Sequence, residues 1–349
     1  MINKMYSLNS NVSSSENMKI NKTKNYKVIH YNKDKVKSKE DLLYRSVIMN
    51  NEDKFVSFSP PKSVDYMTFK TDNTIDNVVI DEIIEGTMIH MFYDNEAWRI
   101  STKSKMDAKS SYFYYGNYNR TFEKMFQETT ATFSENWREK LDKNYCYSFV
   151  LQHPYNRIVV PIYCKKLYLI SIYHIDGEQV NVVDIEKENL PEEFYYPQKY
   201  NMNSYLEMEK MMESENYNSP GFMIKTKVDR TKLLYKGHQY VKELRGNQPK
   251  LQYHFLTLKK ENRIEEYLHY YKEHSDFFDF YQEKYNELVL ELYYYHCTFP
   301  NKHSKLIPYK YRKHLFSIPG KNITKDDVYN YLNSLPEAII MHTMNFDLK

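Results

Sequence analysis

The spacing of apolar side chains changes character near residue 250, from short alternating runs to a longer helical period. Upstream, Tyr44 to Phe58 reads as two short strands around an Asn-Asn-Glu-Asp turn, a hairpin closed by Ser59-Pro60-Pro61. Val78–Ile84, Thr87–Tyr93 and Ala97–Thr102 read as further strands, the last two joined by Asp94-Asn95-Glu96. Phe122, Met125, Phe126, Phe133 and Trp137 fall at helical spacing across Thr121–Leu141, and strand character returns at Cys146–Val150 and Ile158–Tyr173. The acidic, Asn-rich stretch Glu178–Ser219 reads as an insertion or linker with a short helix near Leu206–Met212, and Phe222–Thr226 as the next strand. Beyond Lys250, Ile264, Leu268, Tyr271, Phe278, Tyr281, Tyr285, Leu288 and Leu292 predict one long amphipathic helix or two. Thr324 with Asp327 predicts a capping box for a helix ending near Asn333, and Ser334-Leu335-Pro336-Glu337 the start of another. Residues 1–24, rich in Asn, Ser, Lys and Met, show no period, and 1–40 is expected to be a disordered or weakly ordered arm. The expected fold class is α+β, an antiparallel-rich domain over 41–250 followed by a mostly helical domain over 251–349.

Composition refines this picture. Tyr accounts for 36 residues, so the core is expected to be aromatic and to need partners for its hydroxyls. A mean hydropathy of -0.77, no long apolar run and a polar N-terminus argue against a membrane partner or a secretory signal, and the chain is expected to be soluble and intracellular. Three cysteines without a CxxC pair suit a reducing compartment. No metal-ligand spacing is present: His269 and His274, five apart, do not share a helix face. Neither a P-loop nor a GxGxxG turn occurs. The aromatic stripe Tyr267–Tyr295 reads as core rather than as a base-stacking surface. The net charge of +3 is small, yet Lys225–Lys260 holds ten basic residues against Asp229 and Glu243, a local balance of +8. Lys236, Lys242, Arg245 and Lys250 in that stretch are candidate RNA-phosphate contacts, with a merely solvated basic face as the alternative.

The seven glycines mark special backbone positions, among them Glu85-Gly86-Thr87, Pro220-Gly221 and Arg245-Gly246. The runs YRSVIMNNEDKFVSFSPPKS, EIIEGTMIHMFYDNEAWRISTKSKM, YCYSFVLQHPYNRIVV, SPGFMIK and RTKLLYKGHQYV resemble, in this order, the N-terminal domain of bacteriophage-type RNA ligase 1. The likeness covers about residues 41 to 250 and implies a covalent-nucleotidyltransferase (ATP-grasp-like ligase) fold, as in DNA ligases and mRNA capping enzymes. It further implies ATP and Mg²⁺ as cofactors and nucleotide and RNA as partners. In that family a lysine attacks the α-phosphate of ATP and the AMP then passes to an RNA 5′-phosphate. The form EGTM with SFVLQHP, and the abundance of Lys, Asn, Ile and Tyr, resembles large-DNA-virus proteins, for which the expected location is the host cytoplasm.

Three reacting positions depart from the family. Glu85-Gly86 aligns with the end of the nucleophile motif, which puts Ile83 where the attacking lysine belongs. Ser148 falls on or near a strand glutamate, and Pro220 replaces the metal-associated glutamate. What the resemblance retains is a nucleotide-gripping set: Arg45, Glu85, Gly86, Lys103, Arg157, Arg230 and Lys232, with Asn156 beside Arg157. The expectation is therefore a catalytically degenerate protein that binds ATP, RNA ends or both, a pseudoenzyme. Two alternatives stay open. A displaced lysine, with Lys62, Lys70, Lys105 and Lys225 close to the motifs, would make an active ligase or capping-type enzyme; a purely structural module would use no nucleotide.

Overall fold

Alternating side chains build strands up to residue 234, and helical periods dominate afterwards. The computed structural model describes residues 4–36, 38–111, 120–214, 216–320 and 322–348. The described residues up to Arg245 form one unit and those from Gly246 onward another. The division falls five residues before the boundary expected from the change of period.

In the first unit the elements are β1 (Lys4–Ser7), β2 (Met18–Lys22), β3 (Tyr26–Tyr31), β4 (Val47–Asn50), β5 (Phe55–Phe58), α1 (Tyr66–Asp72), β6 (Val79–Glu82), β7 (Thr87–Asp94) and β8 (Ala97–Ser101). These are followed by α2 (Phe122–Thr130), β9 (Tyr145–Gln152), β10 (Lys166–Asp176), β11 (Gln179–Val183), β12 (Lys199–Tyr200), α3 (Tyr205–Met212), β13 (Gly221–Lys225), β14 (Arg230–Leu234) and α4 (Lys236–Arg245). They form three sheets, ordered β1-β11-β10-β9-β7-β8, β12-β6-β13-β14 and β2-β3-β4-β5. Neighbouring strands in all three are antiparallel.

The six-stranded sheet is covered on both faces. Val28 and Phe58 of the β2–β5 sheet pack against its Phe92, Cys146 and Tyr173. On the other side Phe126, Trp137 and Phe194 pack against Phe149 and Leu169. This explains why β9 is buried almost along its whole length instead of alternating. In β13 the alternation is clean. Phe222 and Ile224 face the helical cover with Phe69 and Met208, while Met223 and Lys225 point the other way, toward a cleft.

Several elements differ from the pattern-based reading. The expected disordered arm, of which residues 1–3 and 37 lie outside the described residues, instead supplies β1, which pairs with β11, and β2 and β3, which extend the β4–β5 hairpin. Its apolar side chains are sparse but well placed, with Met18, Tyr26, Val28 and Ile29 buried. The helix expected across Thr121–Leu141 ends at Thr130 and resumes only as a 3₁₀ turn at Trp137–Lys140. Thr129 and Thr130 bond back to the carbonyls of Met125 and Phe126, which offers the chain an alternative to helix. The strand expected from Ile158 begins only at Lys166, because the Val159 and Val160 amides are taken by a carboxylate rather than by a ladder. The stretch Glu178–Ser219 is not a bare linker: it contains β11, β12 and α3. The Asp94-Asn95-Glu96 connection is a tight turn with φ of 50° and 56° at Asn95 and Glu96, and Asp94 is held by the Tyr26 hydroxyl at 2.9 Å.

The second unit comprises α5 (Leu251–Lys260), α6 (Ile264–Tyr270), α7 (Ser275–Thr298), α8 (Tyr309–Ser317), α9 (Lys325–Ser334) and α10 (Glu337–Met344). The long helical period is thus split into α6 and α7, and Tyr267 and Phe278 stack across the break with ring centroids 5.2 Å apart. The aromatic stripe is core: Tyr267, Phe278 and Tyr285 are buried. The Thr324–Asp327 capping box is present at the start of α9. Among the described residues no helix is long and apolar enough to cross a membrane.

Candidate functional site

A cleft of about 560 Å³ opens in the first unit where β6, β13 and β14 face the six-stranded sheet. Of the expected nucleotide-binding set, Arg45, Glu85, Gly86, Lys103, Arg230 and Lys232 line it, together with Ile83 and Pro220. Lys242, from the expected RNA-binding set, lines it as well.

Two glycines shape the rim. At Gly86, with φ of 156°, an added Cβ would lie 2.5 Å from the Leu151 carbonyl oxygen, so β7 approaches β9 too closely for any side chain. At Gly221, with φ of 129°, an added Cβ would collide with the Leu233 carbonyl. The Gly221 carbonyl accepts from the Ile83 amide at 3.0 Å, which fixes the Ile83 segment beside β13. Ile83 presents a branched hydrocarbon to the cleft, a side chain that can neither attack nor bind a proton.

Glu85 lines the cleft, but its carboxylate is committed elsewhere. One oxygen accepts from the Val159 and Val160 amides, both at 2.8 Å, and the other sits 2.7 Å from His238 Nε2. The Glu85 carbonyl accepts from the Gln152 amide at 3.0 Å. The residue therefore fastens the 157–160 loop and α4 to the end of β6, a role the sequence did not reveal. His238, a lone histidine after Lys236-Gly237, carried no signal in the sequence either, since its partner lies 153 positions upstream.

The cations are concentrated and poorly balanced. Arg230 and Lys232 lie two apart on β14 and so share a face. Arg230 is buried, and burial together with the charge of Arg45 lowers its guanidinium to about 10. Lys103 is brought down to about 8, first by burial and then by Arg45, Lys33, Lys62 and Lys19, and its ammonium lies 4.5 Å from the Tyr31 ring centre. Lys232 is lowered for the same reasons, burial first and then Lys242, Arg45 and Arg230. Arg45 is lowered by burial. Only Lys225 among these cleft cations is neutralised by an ion pair, with Asp81, in the described residues. Like charges held together in a half-buried cleft cost free energy unless an anion offsets them.

Other expected residues lie elsewhere. Arg157 donates through Nε to the Val159 carbonyl at 3.0 Å, on the loop beside the cleft. Lys236 pairs with Glu213 at the surface. Of the expected RNA-binding set, Arg245 is 2% exposed and is turned away from solvent, and Lys250 belongs to the second unit. Of the lysines considered for relocation, Lys62 and Lys225 line the cleft, whereas Lys70 pairs with Glu209 at 2.6 Å. Ser148 is fully buried and bonds His90 Nδ1 at 3.0 Å; burial, then Arg45, presses that histidine to about 3 and keeps it neutral. A serine–histidine pair thus fills the place where a carboxylate is expected.

These donors do not fit a protein-held divalent cation. Pro220 offers no side-chain ligand, Glu85 is engaged, Asp81 pairs with Lys225, and Glu82 accepts from the Gln198 amide at 3.4 Å. No group of three or more acidic, histidine or cysteine side chains among the described residues could hold a metal.

No family model matches the chain. A curated RNA ligase of Rhodothermus phage RM378 is 31% identical over 103 residues, 28% of this chain. The match spans only 23% of that relative's length. Two solved forms of an archaeal ATP-dependent RNA ligase superpose with TM-scores of 0.42 and 0.41, at 11% and 10% identity. The first covers 71% of this chain and 63% of that one, the second 96% and 76%. The resemblance to RNA ligases is thus carried by the phage protein, while the fold is described by the chain's own sheets.

Proposed function

We propose that this chain binds the polyphosphate of a nucleotide, or the 5′-phosphate of an RNA end, in the cleft and forms no lysyl-nucleotide. The observation that carries the reading is the set Arg45, Lys62, Lys103 and Lys232, gathered on one cleft without a carboxylate in ion-pair range among the described residues. Phosphates supply the missing negative charge, and the Arg230 guanidinium suits them geometrically. Mg²⁺, where it takes part, arrives on the phosphates, since the chain offers it no cage. Ile83 removes the group that would break the α-phosphate linkage.

The test is incubation of the full chain with labelled ATP and Mg²⁺. The expected result is saturable binding by calorimetry, weakened by Arg45→Ala or Lys232→Ala, with no label surviving denaturation. A denaturation-stable adduct overturns the noncovalent reading. The absence of any saturable binding of ATP or of 5′-phosphorylated RNA overturns the binding reading.

A second reading is favoured by one observation, the Lys103 amine held at about 8. Roughly half of it is neutral near that pH, as nucleophilic attack requires. On this reading the amine attacks the α-phosphorus, a P–N bond forms, the P–O bond to the β-phosphate breaks, and pyrophosphate leaves while the nitrogen loses its proton to water. Mass spectrometry finding no modified Lys103 after incubation with ATP or GTP ends it.

A further inference from the structure

The helical unit leaves one face of α8 outside its own packing. The inward side of that helix is finished: Tyr311, His314 and Leu315 are buried, the Tyr311 hydroxyl meets Glu291, and the His314 ring nitrogens lie 3.0 Å from the Tyr331 hydroxyl and 2.9 Å from that of Thr343. The outward side is apolar at its two ends. Tyr309 and Phe316, seven residues and so about two turns apart, are 76% and 53% exposed, and Leu306, in the turn leading into the helix, is 74% exposed. The Phe346 ring extends the surface, 6.4 Å from that of Tyr309.

Positive charge surrounds these side chains. Residues 302–320 hold five Lys or Arg and no Asp or Glu. The acids that reach α8 and α10 are already taken, Asp347 by Lys310 at 2.6 Å and Glu337 by Lys260 at 3.0 Å. Lys305 and Lys313 are exposed, and neither has an ion-pair partner among the described residues. Large apolar side chains ringed by uncompensated lysines mark a surface built to meet something both apolar and negative.

We propose that this face of α8 is an interfacial anchor that docks the helical unit on an anionic phospholipid bilayer. Leu306, Tyr309 and Phe316 enter the boundary between headgroups and acyl chains, while the lysine stems lie along it and bring their ammonium groups to the lipid phosphates. The other occupants fit less well. Base stacking uses aromatic faces and gives Leu306 nothing to meet, and a shape-matched protein needs a hollow where the outer side of a single helix is a ridge. Low mean hydropathy and the lack of a long apolar helix among the described residues argue against a span, which an interfacial helix does not need. The inference is independent of the nucleotide reading of the cleft.

The experiment is sedimentation of the full chain with vesicles of phosphatidylcholine alone and of phosphatidylcholine mixed with phosphatidylserine, over a range of salt. Saturable association with the anionic vesicles alone, weakening as salt rises, is expected. Each lysine near such a surface contributes about fivefold in affinity, so Lys305→Ala with Lys313→Ala is expected to weaken binding about twentyfold. Leu306→Ser with Phe316→Ser is expected to weaken it about tenfold or more at unchanged charge, and circular dichroism is expected to show both double variants folded, since the positions are exposed. In Phe316→Trp, brominated acyl chains are expected to quench the added fluorescence. No association with anionic vesicles overturns the proposal. So does binding that the Leu306 and Phe316 variant leaves unchanged, which places the lipid contact on cations elsewhere in the chain. Tighter binding of an unstructured RNA than of vesicles, weakened by the same two double variants, makes this face a nucleic-acid surface instead.

Discussion

Replacing Glu85 separates a fastening role from a ligand contact. Glu85→Ala leaves the Val159 and Val160 amides and one His238 ring nitrogen without their acceptor or partner, groups now held at 2.8, 2.8 and 2.7 Å. Each buried polar group stranded in this way costs about 1–3 kcal/mol. Local relaxation and water entry reduce the sum, so a loss of about 3–5 kcal/mol is expected, a large share of the ~5–15 kcal/mol that holds a typical domain together. For a unit of this size that corresponds to a fall in Tm of about 10 °C. Glu85→Gln is expected to cost far less, about 1–2 kcal/mol, because its amide oxygen still accepts from both backbone groups and its NH₂ can donate to His238 once the ring proton moves to Nδ1, which is unpartnered. Urea denaturation gives the stabilities, and calorimetry with ATP gives the affinity of each folded variant. ATP affinity within about twofold of the parent is expected for Glu85→Gln. A Glu85→Ala loss below about 1 kcal/mol, or a Glu85→Gln variant with parental stability and tenfold weaker ATP binding, refutes the fastening argument and returns Glu85 to the ligand.

Further outcomes follow from the same geometry. Gly86→Ala forces a methyl group to within 2.5 Å of the Leu151 carbonyl and is expected to cost at least about 2 kcal/mol in chemical denaturation; a neutral substitution shows that β7 and β9 can separate. Lys103 titrates near 8, so ATP affinity is expected to fall as pH rises from 7 to 9.5 as this cation is lost, and Lys103→Arg is expected to flatten that fall in calorimetry. In the free protein the same depressed pKa means that the unfolded chain binds more protons between about 8 and 10.5, so Lys103 adds stability as pH rises through that window, visible as a difference between the parent and Lys103→Arg. His90 is held neutral down to about 3 against 6.5 when unfolded; the unfolded chain binds the extra proton, so stability drains as pH falls from 6.5 toward 3, and His90→Gln is expected to remove part of that acid limb in denaturation curves.

The strands that alternate were legible, and the chain segments whose partners are distant were not. The hairpin through Asn50 and Asp53, the β7–β8 pair and the capping box at Thr324 are local features set by neighbours within a few residues. β1 was hidden because its order comes from β11, more than 170 residues away, and not from its own composition. The Ile158–Lys165 segment looked like a strand because Ile158, Val159 and Val160 are β-branched, yet Glu85 draws their amides out of any ladder. At the site, the positions of Arg45, Lys103, Arg230 and Lys232 followed from motif order, and all four line one cleft. His238 and Arg245 went the other way. A basic run cannot tell which of its members α4 turns inward, and the buried faces of that helix include both.

The three departures proposed at Ile83, Ser148 and Pro220 bear on the charge of the cleft as well as on the reaction. On the proposed reading Ile83 stands for an attacking lysine and removes one cation, while Ser148 and Pro220 stand for carboxylates that would have offset the remaining ones. Lys103, Lys232 and Arg230 are lowered first by burial and then by neighbouring cations, Arg45 among them at each. On the proposed reading a phosphate relieves the repulsion among these cations when it enters and restores it when it leaves, which favours retention over turnover. An enzyme gains little from holding its ground state in this way; a protein that senses or sequesters a phosphorylated ligand gains affinity. On the proposed reading Ile83→Lys alone does not restore ligation: the reinstated amine enters a field of cations that keeps it reactive, but Asp81 and Glu85 are engaged by Lys225, His238 and backbone amides, and at most an adduct without transfer to RNA is expected. Transfer of the label to a 5′-phosphorylated RNA by the single variant would show that the charge argument is wrong.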